Sequence, residues 1–229
     1  DVLPKPDSCS GCPLYELPYG KKVGYTPASG SGDSGVLIIL EASGEDEENS
    51  GIPVMGRAGQ YLFTQLKRIG IERDGFRIHN VLSCRPPNNK LVKMPYTDAA
   101  ILHCAPNLDK TITDHIAHCA TIGKTPVILT LGKFAFKRIM NITDKDPLIR
   151  KDYHVYPHWS KTYGCWVVAA HHPSHIMQGK HNLAPMLQFT VQRALEIAAD
   201  GLTLDEPTYL LDPTIEEFNT WVDGYFESL

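Results

Sequence analysis

Four cysteines in this sequence have spacings that could bring four thiolate ligands to one metal centre. Cys9 and Cys12 form a C-x-x-C pair before Pro13, and two thiolates at this spacing can reach the same centre. Cys84, at a strand end closed by prolines, and Cys104 would complete the set. The long gap between Cys12 and Cys84 matches no zinc-ribbon spacing. The residues alone therefore indicate a four-cysteine site for iron or zinc, with a redox dithiol or a chance C-x-x-C as the alternative.

Three groups of polar residues follow apolar runs that predict strands. These groups are EASGEDEE after the run 36–40, HNVLSC at the end of the run 76–81, and HHPSH after the run 165–170. In a mostly parallel sheet the carboxyl ends of the strands meet at one edge, and ligands bind in the crevice beyond that edge. We therefore expect the three polar groups to converge on one site.

Strands and helices alternate along the chain, which predicts an α/β fold with a central, mostly parallel sheet covered on both faces. The predicted strands are 36–40, 76–83, 126–132 and 165–172, and the predicted helices are 60–70, 98–119, 133–140 and 184–201. We expect Gly70 to cap the first helix and Pro106 to kink or restart the second. Residues 20–35 are rich in Gly and Ser and predict a loop that joins an N-terminal segment to the core.

Length and composition predict one main domain. The chain has 229 residues, of which 42% are hydrophobic and 21% charged, as is ordinary for a globular domain. No apolar run approaches a membrane span, and the N-terminus lacks the features of a signal peptide. We therefore expect a soluble, cytoplasmic protein without a membrane partner.

Cys119 and Cys165 lie in apolar patterns and are expected to be packed thiols rather than disulfide partners.

Charge is distributed unevenly along the chain. The formal net charge is -4, yet the part from Glu196 to the C-terminus contains acidic residues and no Lys or Arg. Basic residues outnumber acidic ones in 56–93, which is often only a solvated surface but is compatible with a phosphate backbone. We expect residues 1–200 to form the main domain. Residues 201–229 are expected to be an acidic extension or linker to a further domain, with an amphipathic helix over 214–226.

Taken together, the motifs resemble those of the iron–sulfur uracil-DNA glycosylases, family 4 of that superfamily. They are, in chain order, CSGCPL (9–14), LEASGEDE (40–47), GIPVMGRAGQ (51–60), NVLSCRPP (80–87), CAP (104–106), LTLG (129–132) and HPS (172–174). The resemblance implies a three-layer α/β/α fold with DNA as the partner. It also implies a structural four-iron four-sulfur (4Fe–4S) cluster held by Cys9, Cys12, Cys84 and Cys104.

The resemblance further implies an enzyme that hydrolyses the N-glycosidic bond of a uracil flipped out of DNA. Asn80 would hydrogen-bond the uracil edge, His172 would donate toward uracil O2, and Glu47 would position the attacking water. The remaining residues implied for the base pocket are Glu41, Ala42, Gly44 and Val54. The residues implied for DNA binding are Arg57, Ser174, Lys180 and a wedge formed by Ile176 or Met177.

Several positions differ from the family pattern. Val54 replaces a Phe that stacks on uracil, Leu40 replaces a Gly, and Ser43 replaces a Pro of the pocket loop. Between Cys84 and Cys104 the segment NNKLVKMP is the expected insertion. One branch of the superfamily carries a nucleophilic His there, and its absence here argues against covalent trapping.

These differences leave two function classes open. The first is an active glycosylase with a less selective pocket. The second is a catalytically silent module that binds DNA or a modified base, covalently linked to a polymerase or exonuclease region in a larger phage-type DNA polymerase. A nucleotide-binding α/β domain with a zinc clip is a weaker third possibility, because no glycine-rich phosphate fingerprint follows the first strand.

Overall fold

The computed structural model describes residues 3, 5–15, 24–143, 145–146, 148, 153–202 and 214–227. Within these residues five strands form one sheet in the order β2-β1-β3-β5-β4. The strands are β1 (Val36–Ala42), β2 (Arg77–Leu82), β3 (Val127–Leu131), β4 (His158–Ser160) and β5 (Cys165–Ala170). All neighbours are parallel except β4, which pairs antiparallel with β5 at the edge of the sheet. The prediction of a mostly parallel α/β sheet is therefore confirmed.

Helices cover both faces of this sheet and create three layers. The helices of the described residues are α1 (Glu45–Ser50), α2 (Arg57–Lys67), α3 (Thr97–Thr121), α4 (Lys133–Met140), α5 (Pro173–Met177), α6 (Ala184–Asp200) and α7 (Ile215–Glu227). Of these, α2 and α6 pack on one face of the sheet, and α3 and α4 pack on the other. Alternate residues of β1 point to opposite faces. Ile38 packs with α2 and α6 on one face, and Ile39 packs with α3 and α4 on the other. Both strand residues are fully buried, as expected for a parallel sheet between two helical layers.

The end of α2 agrees with the sequence prediction. The N–H of Ile71 donates to the carbonyl of Leu66, and the N–H of Gly70 donates to the carbonyl of Lys67. These two bonds form a Schellman motif, in which Gly70 takes the left-handed position with a φ of 77°. Gly70 is therefore the C′ residue that stops the helix.

Of the two predicted effects of Pro106, the restart of the long helix is wrong, and the kink stays a prediction. A single helix, α3, runs from Thr97 to Thr121 with Pro106 inside it. Proline removes the hydrogen bond to the carbonyl four residues earlier, here that of Leu102. Because both Pro106 and Leu102 are exposed, water can hydrate this carbonyl.

The described part of the predicted N-terminal loop is attached to the outer edge of β2. The N–H of Ser29 donates to the carbonyl of Ile78, which returns a bond from its own N–H to the carbonyl of Ser29. Further along, the N–H of Thr26 donates to the carbonyl of Ser83. The loop thus covers part of a sheet edge that would otherwise present unpaired backbone groups. Residues 20–23 of the predicted loop lie outside the described residues.

The acidic tail contains the predicted helix, observed as α7 over Ile215–Glu227. Residues 203–213, which connect α6 to α7, lie outside the described residues. In the parts of the chain that the structure describes, no helix is long and apolar enough to cross a membrane.

Candidate active site

The polar ends of the parallel strands open into one cleft of about 840 Å³. This arrangement confirms the expected convergence of the three polar groups. The cleft lies where the sheet order brings the turns after β1, β2, β3 and β5 side by side. Its walls include nine of the residues named from the sequence: Glu41, Ala42, Gly44, Glu47, Val54, Arg57, Asn80, His172 and Ser174.

Glu47 is held by two backbone donors from different loops. It lies in the first turn of α1, where Gly44 is the N-cap residue. The N–H of Gly44 donates to Oε2 at 3.0 Å, and the N–H of Gly56, which precedes α2, donates to Oε1 at 2.8 Å. Each oxygen can accept more than one hydrogen bond. The buried carboxyl group therefore joins two walls of the cleft while retaining acceptor capacity toward a further donor.

Glu41 has a structural role that the sequence did not indicate. Its Oε1 accepts a hydrogen bond of 3.1 Å from the N–H of Phe134 in the first turn of α4. Burial raises the pKa of this carboxyl, while the backbone donors of α4 and the charge of Lys133 act in the opposite direction. A Cβ at Gly132 would collide with the Glu41 carboxyl. Glu41 thus lines the cleft and also caps α4.

Asn80 lies on β2 with its carboxamide buried at the base of the cleft. Its Nδ2 donates to Ser43 Oγ at 3.1 Å. Ser43 also donates its N–H to the carbonyl of Leu82, a bond that a proline could not form. Ser43 therefore supplies two hydrogen bonds between the pocket loop and β2.

His172 is the N-cap residue of α5, and its environment selects one tautomer. The N–H of Ser174 donates to Nδ1 at 3.2 Å, so Nδ1 carries no proton. Burial, together with the charge of His175, lowers the pKa of His172 to about 4. At neutral pH the imidazole is therefore uncharged, with its proton on Nε2. The ring can donate a hydrogen bond from Nε2 without first losing a positive charge.

The wall at Val54 is held in an unusual backbone conformation. Val54 has a φ of 63°, which is strained for a β-branched residue. Arg73 donates to the carbonyls of Pro53 and Val54 at 2.7 Å and 3.2 Å, and its guanidinium lies over the ring of Phe63. A Cβ at Gly59 would overlap the Val54 carbonyl, so α2 packs directly against this turn. No sequence pattern singled out Arg73 for this role.

The four predicted ligand cysteines line a second, smaller cavity next to the cleft. Cys9 and Cys84 are buried, and Cys12 and Cys104 are half-buried. The turn between Cys9 and Cys12 is closed by a backbone bond between these two residues. Burial raises the pKa of Cys84 to about 12, and the three neighbouring thiols add to this effect.

The cysteines supply the donor set of a cluster. Within the described residues the structure shows no group of three or more His, Cys, Asp or Glu side chains placed to hold a metal ion. The four cysteines nevertheless face one cavity among apolar residues, as free thiols. A 4Fe–4S cluster takes one thiolate at each of four irons, so its ligands do not meet at one atom. The residues present therefore fit this group.

Comparison with known proteins places this chain in a family. Residues 27–195 match the model of the uracil DNA glycosylase superfamily. The chain belongs to this superfamily.

Relatives of this chain, among them the following three, carry the name type-4 uracil-DNA glycosylase. The protein of Archaeoglobus fulgidus is 30% identical over 181 residues, which are 77% of this chain and 82% of that protein. The protein of Pyrobaculum aerophilum is 35% identical over 135 residues, 59% of this chain and 61% of that protein. The protein of Thermotoga maritima is 38% identical over 95 residues, 42% of this chain and 47% of that protein.

The residues predicted to bind DNA in this superfamily member do not all reach the cleft. Ile176 is fully buried in the core below α5, so the prediction that it inserts into DNA is wrong. The single turn of α5 directs Ile176 inward, whereas Met177 is half-buried and Lys180 is exposed beyond the helix. Arg57, at the first position of α2, is exposed and lines the cleft.

One wall of the cleft consists of aromatic and imidazole rings, of which only His171 and His175 belong to a group named from the sequence, HHPSH. Tyr153 stacks on His154 at 4.3 Å between ring centroids, and His154 lies 3.7 Å from His171. His171 in turn lies 5.6 Å from His175. Tyr153 and His154 lie between the predicted elements 133–140 and 165–172, so no sequence pattern indicated that they line the cleft.

The position of Arg73 leads to a testable prediction. Arg73→Lys keeps the charge but can no longer hold both carbonyls at once. We expect the free energy of unfolding, measured by urea denaturation, to fall by about 1–2 kcal/mol. The matched control is Arg68→Lys, because Arg68 is exposed and bonds only the Gln65 side chain among the described contacts. Equal stability of the two variants would contradict the role assigned to Arg73.

Proposed function

We propose that this protein removes uracil from DNA by hydrolysing the bond between the base and the deoxyribose. The observation that carries the proposal is the placement of a buried amide, Asn80, and a neutral imidazole, His172, in one cleft at the carboxyl edge of the sheet. The names of the relatives, type-4 uracil-DNA glycosylase, support it.

The reaction requires a uracil outside the base stack, since its glycosidic bond is inaccessible inside a duplex. The bond between C1′ and the base nitrogen breaks, and its electron pair leaves with the pyrimidine. Negative charge therefore develops on the base, including at O2. A hydrogen bond donated by His172 Nε2 toward O2 would stabilise that charge. Because the imidazole is already neutral at pH 7, no proton has to leave before the base binds.

Asn80 would select the base through its carboxamide. The oxygen of an amide can accept from uracil N3–H, and its nitrogen can donate to uracil O4. The bond from Nδ2 to Ser43 Oγ uses one of the two N–H groups, which leaves the second for O4. We propose that Ser43 holds the amide in this orientation.

Glu47 would position the water that attacks C1′. The two backbone donors, from Gly44 and Gly56, fix the carboxyl group at the wall of the cleft. The water oxygen becomes the C1′ hydroxyl, and its released proton balances the uptake of a proton by the departing uracil.

Val54 also lines the base pocket, and its small apolar side chain leaves more room for the base than an aromatic ring would. Arg57, Ser174, Met177 and Lys180 would contact the DNA around the flipped nucleotide.

We propose that Cys9, Cys12, Cys84 and Cys104 hold a 4Fe–4S cluster with a structural role. The cluster would supply covalent links between the N-terminal segment, the chain after β2 and the N-terminal half of α3. Arg85, next to Cys84, forms ion pairs with Glu45 at 2.9 Å and Glu48 at 3.4 Å on α1. Residues around the cysteines are thus connected to the helix that carries Glu47.

The remaining parts of the proposal concern the organisation of the chain. We propose that residues 1–200 form the glycosylase domain, that residues 201–229 are an acidic extension, and that the protein acts in the cytoplasm. Linkage to a polymerase or exonuclease region stays a prediction. The silent DNA-binding module is not favoured, because the relatives are named as glycosylases.

Excision of uracil tests the proposal. The protein is incubated with a single-stranded oligonucleotide that contains one uracil, and abasic sites are then cleaved with alkali. We expect strand breaks at the uracil, and His172→Ala should slow their formation by about 100-fold or more, since a donor to the developing anion is lost.

The control for this experiment is His118→Ala, because His118 pairs with Asp33 on the surface. It should leave the rate unchanged. Absence of breaks with stoichiometric wild-type protein that still binds the oligonucleotide would overturn the proposed activity.

The cluster has its own test. Cys84→Ala should abolish bound iron and acid-labile sulfide in anaerobically purified protein, because one of four thiolate ligands is lost. Cys119→Ala is the matched control, since Cys119 is equally buried but bonds Gly35 and His115 away from the cavity. Zinc in place of iron in the wild type, or iron retained by Cys84→Ala, would contradict the cluster.

A further inference from the structure

The segment between β2 and α3 forms part of the cleft wall. Pro86, Asn89, Leu91 and Val92 all line the cleft. We call residues 88–94 the rim loop. It includes most of the NNKLVKMP segment, which the sequence analysis identified as an insertion and to which no role has been assigned above.

The rim loop is held in a defined conformation. Asn88, Asn89 and Lys93 have positive φ values of 53°, 55° and 57°. Asparagine adopts such values readily, whereas a lysine does so only where its surroundings favour it. The hydroxyl of Tyr96 donates to the carbonyl of Lys90 at 2.6 Å, and that of Thr97 donates to the carbonyl of Leu91 at 2.7 Å. A surface loop with these constraints loses little conformational entropy on binding.

Val92 is exposed at the mouth of the cleft. It is 68% exposed, whereas its neighbour Leu91 is buried beneath it. Of the large apolar side chains that are exposed in the described part of the chain, Val92 is the one that lines the cleft. Ile176, which the sequence suggested as an apolar wedge, is 0% exposed. Of the two predicted wedge residues, Ile176 and Met177, only Met177 is partly exposed, and Val92 is a further apolar side chain exposed at the cleft.

The positive charges next to Val92 in the sequence indicate a negatively charged partner. Lys90 and Lys93 flank Val92, and both are exposed. No acidic residue lies between Arg85 and Asp98. An apolar side chain between two cations suits nucleic acid, because apolar wedges enter base steps while lysines bind the phosphates on either side.

We propose that the rim loop is a duplex-binding element in which Val92 fills the space vacated by the flipped nucleotide and Lys90 and Lys93 bind flanking phosphates. This proposal rests on the proposed function, because it assumes that a nucleotide leaves the stack. A single strand has no opposing strand or closed stack to fill, so the loop acts mainly on duplex substrates.

The first experiment compares initial excision rates on a duplex and on a single strand that carry the same uracil. The measured quantity is the ratio of the duplex rate to the single-strand rate. Val92→Ser should lower this ratio about tenfold, the effect of losing roughly 1.4 kcal/mol of apolar contact. Val92→Leu should keep the ratio near the wild-type value. Leu102→Ser is the matched control, because Leu102 is 76% exposed on α3 and does not line the cleft.

The second experiment measures binding and does not depend on catalysis. The dissociation constant for a uracil-containing duplex is determined at several salt concentrations. Replacing both Lys90 and Lys93 by Gln should reduce the slope of log Kd against log salt by about 2, since each phosphate contact contributes about 0.9. Lys110→Gln should leave the slope unchanged, because Lys110 pairs with Asp114 on the exposed face of α3.

The outcomes separate the two proposals. An unchanged rate ratio for Val92→Ser, or an unchanged salt slope for the double lysine variant, would overturn the rim loop as a duplex-binding element. If the wild type excises uracil from neither substrate, the proposed function fails, and the salt slope alone then decides whether the rim loop binds duplex DNA.

Discussion

The cleft depends on the parallel pairing of β1 with β2 and with β3. This pairing places Ala42 opposite Leu82 and Ile39 opposite Thr130, so the C-terminal ends of the three strands lie close together at one edge of the sheet. Parallel strands bring their carboxyl ends to one edge of the sheet. The turns after them therefore meet, although the residues they carry are far apart in the sequence. Without this register the amide of Asn80 and the carboxyl of Glu47 would belong to separate surfaces.

Hydrogen bonds between side chains and the backbone of these turns then fix the walls of the pocket. Glu47 accepts from the loops before α1 and α2, and Glu41 accepts from the first turn of α4. Arg73 holds the carbonyls of the Val54 turn from outside. Buried side chains that satisfy backbone donors in this way fix the positions of loops that lack regular structure. The neutral tautomer of His172 has the same origin, because a backbone N–H from α5 occupies its Nδ1.

Short continuous apolar runs predicted the strands that form the centre of the sheet, and apolar residues at helical spacing predicted the helices α2, α3, α4 and α6. These patterns did not predict β4, whose three residues are too few to show alternation. They also missed α1, which is acidic and is held by its contacts with Gly56 and Arg85. Ile176 was misassigned because α5 is a single turn, too short for its inward face to be recognised. The strained φ of Val54 and the role of Arg73 arise from tertiary packing, which local sequence does not encode.

The central claim is that Asn80 and His172 bind opposite edges of one uracil within the cleft. A crystal structure of the protein with free uracil tests it most directly. The account predicts a base with N3 and O4 at hydrogen-bond distance, roughly 2.7–3.2 Å, from the Asn80 carboxamide and with O2 facing His172 Nε2. Uracil bound outside the cleft, or within it but in contact with neither side chain, would contradict the account.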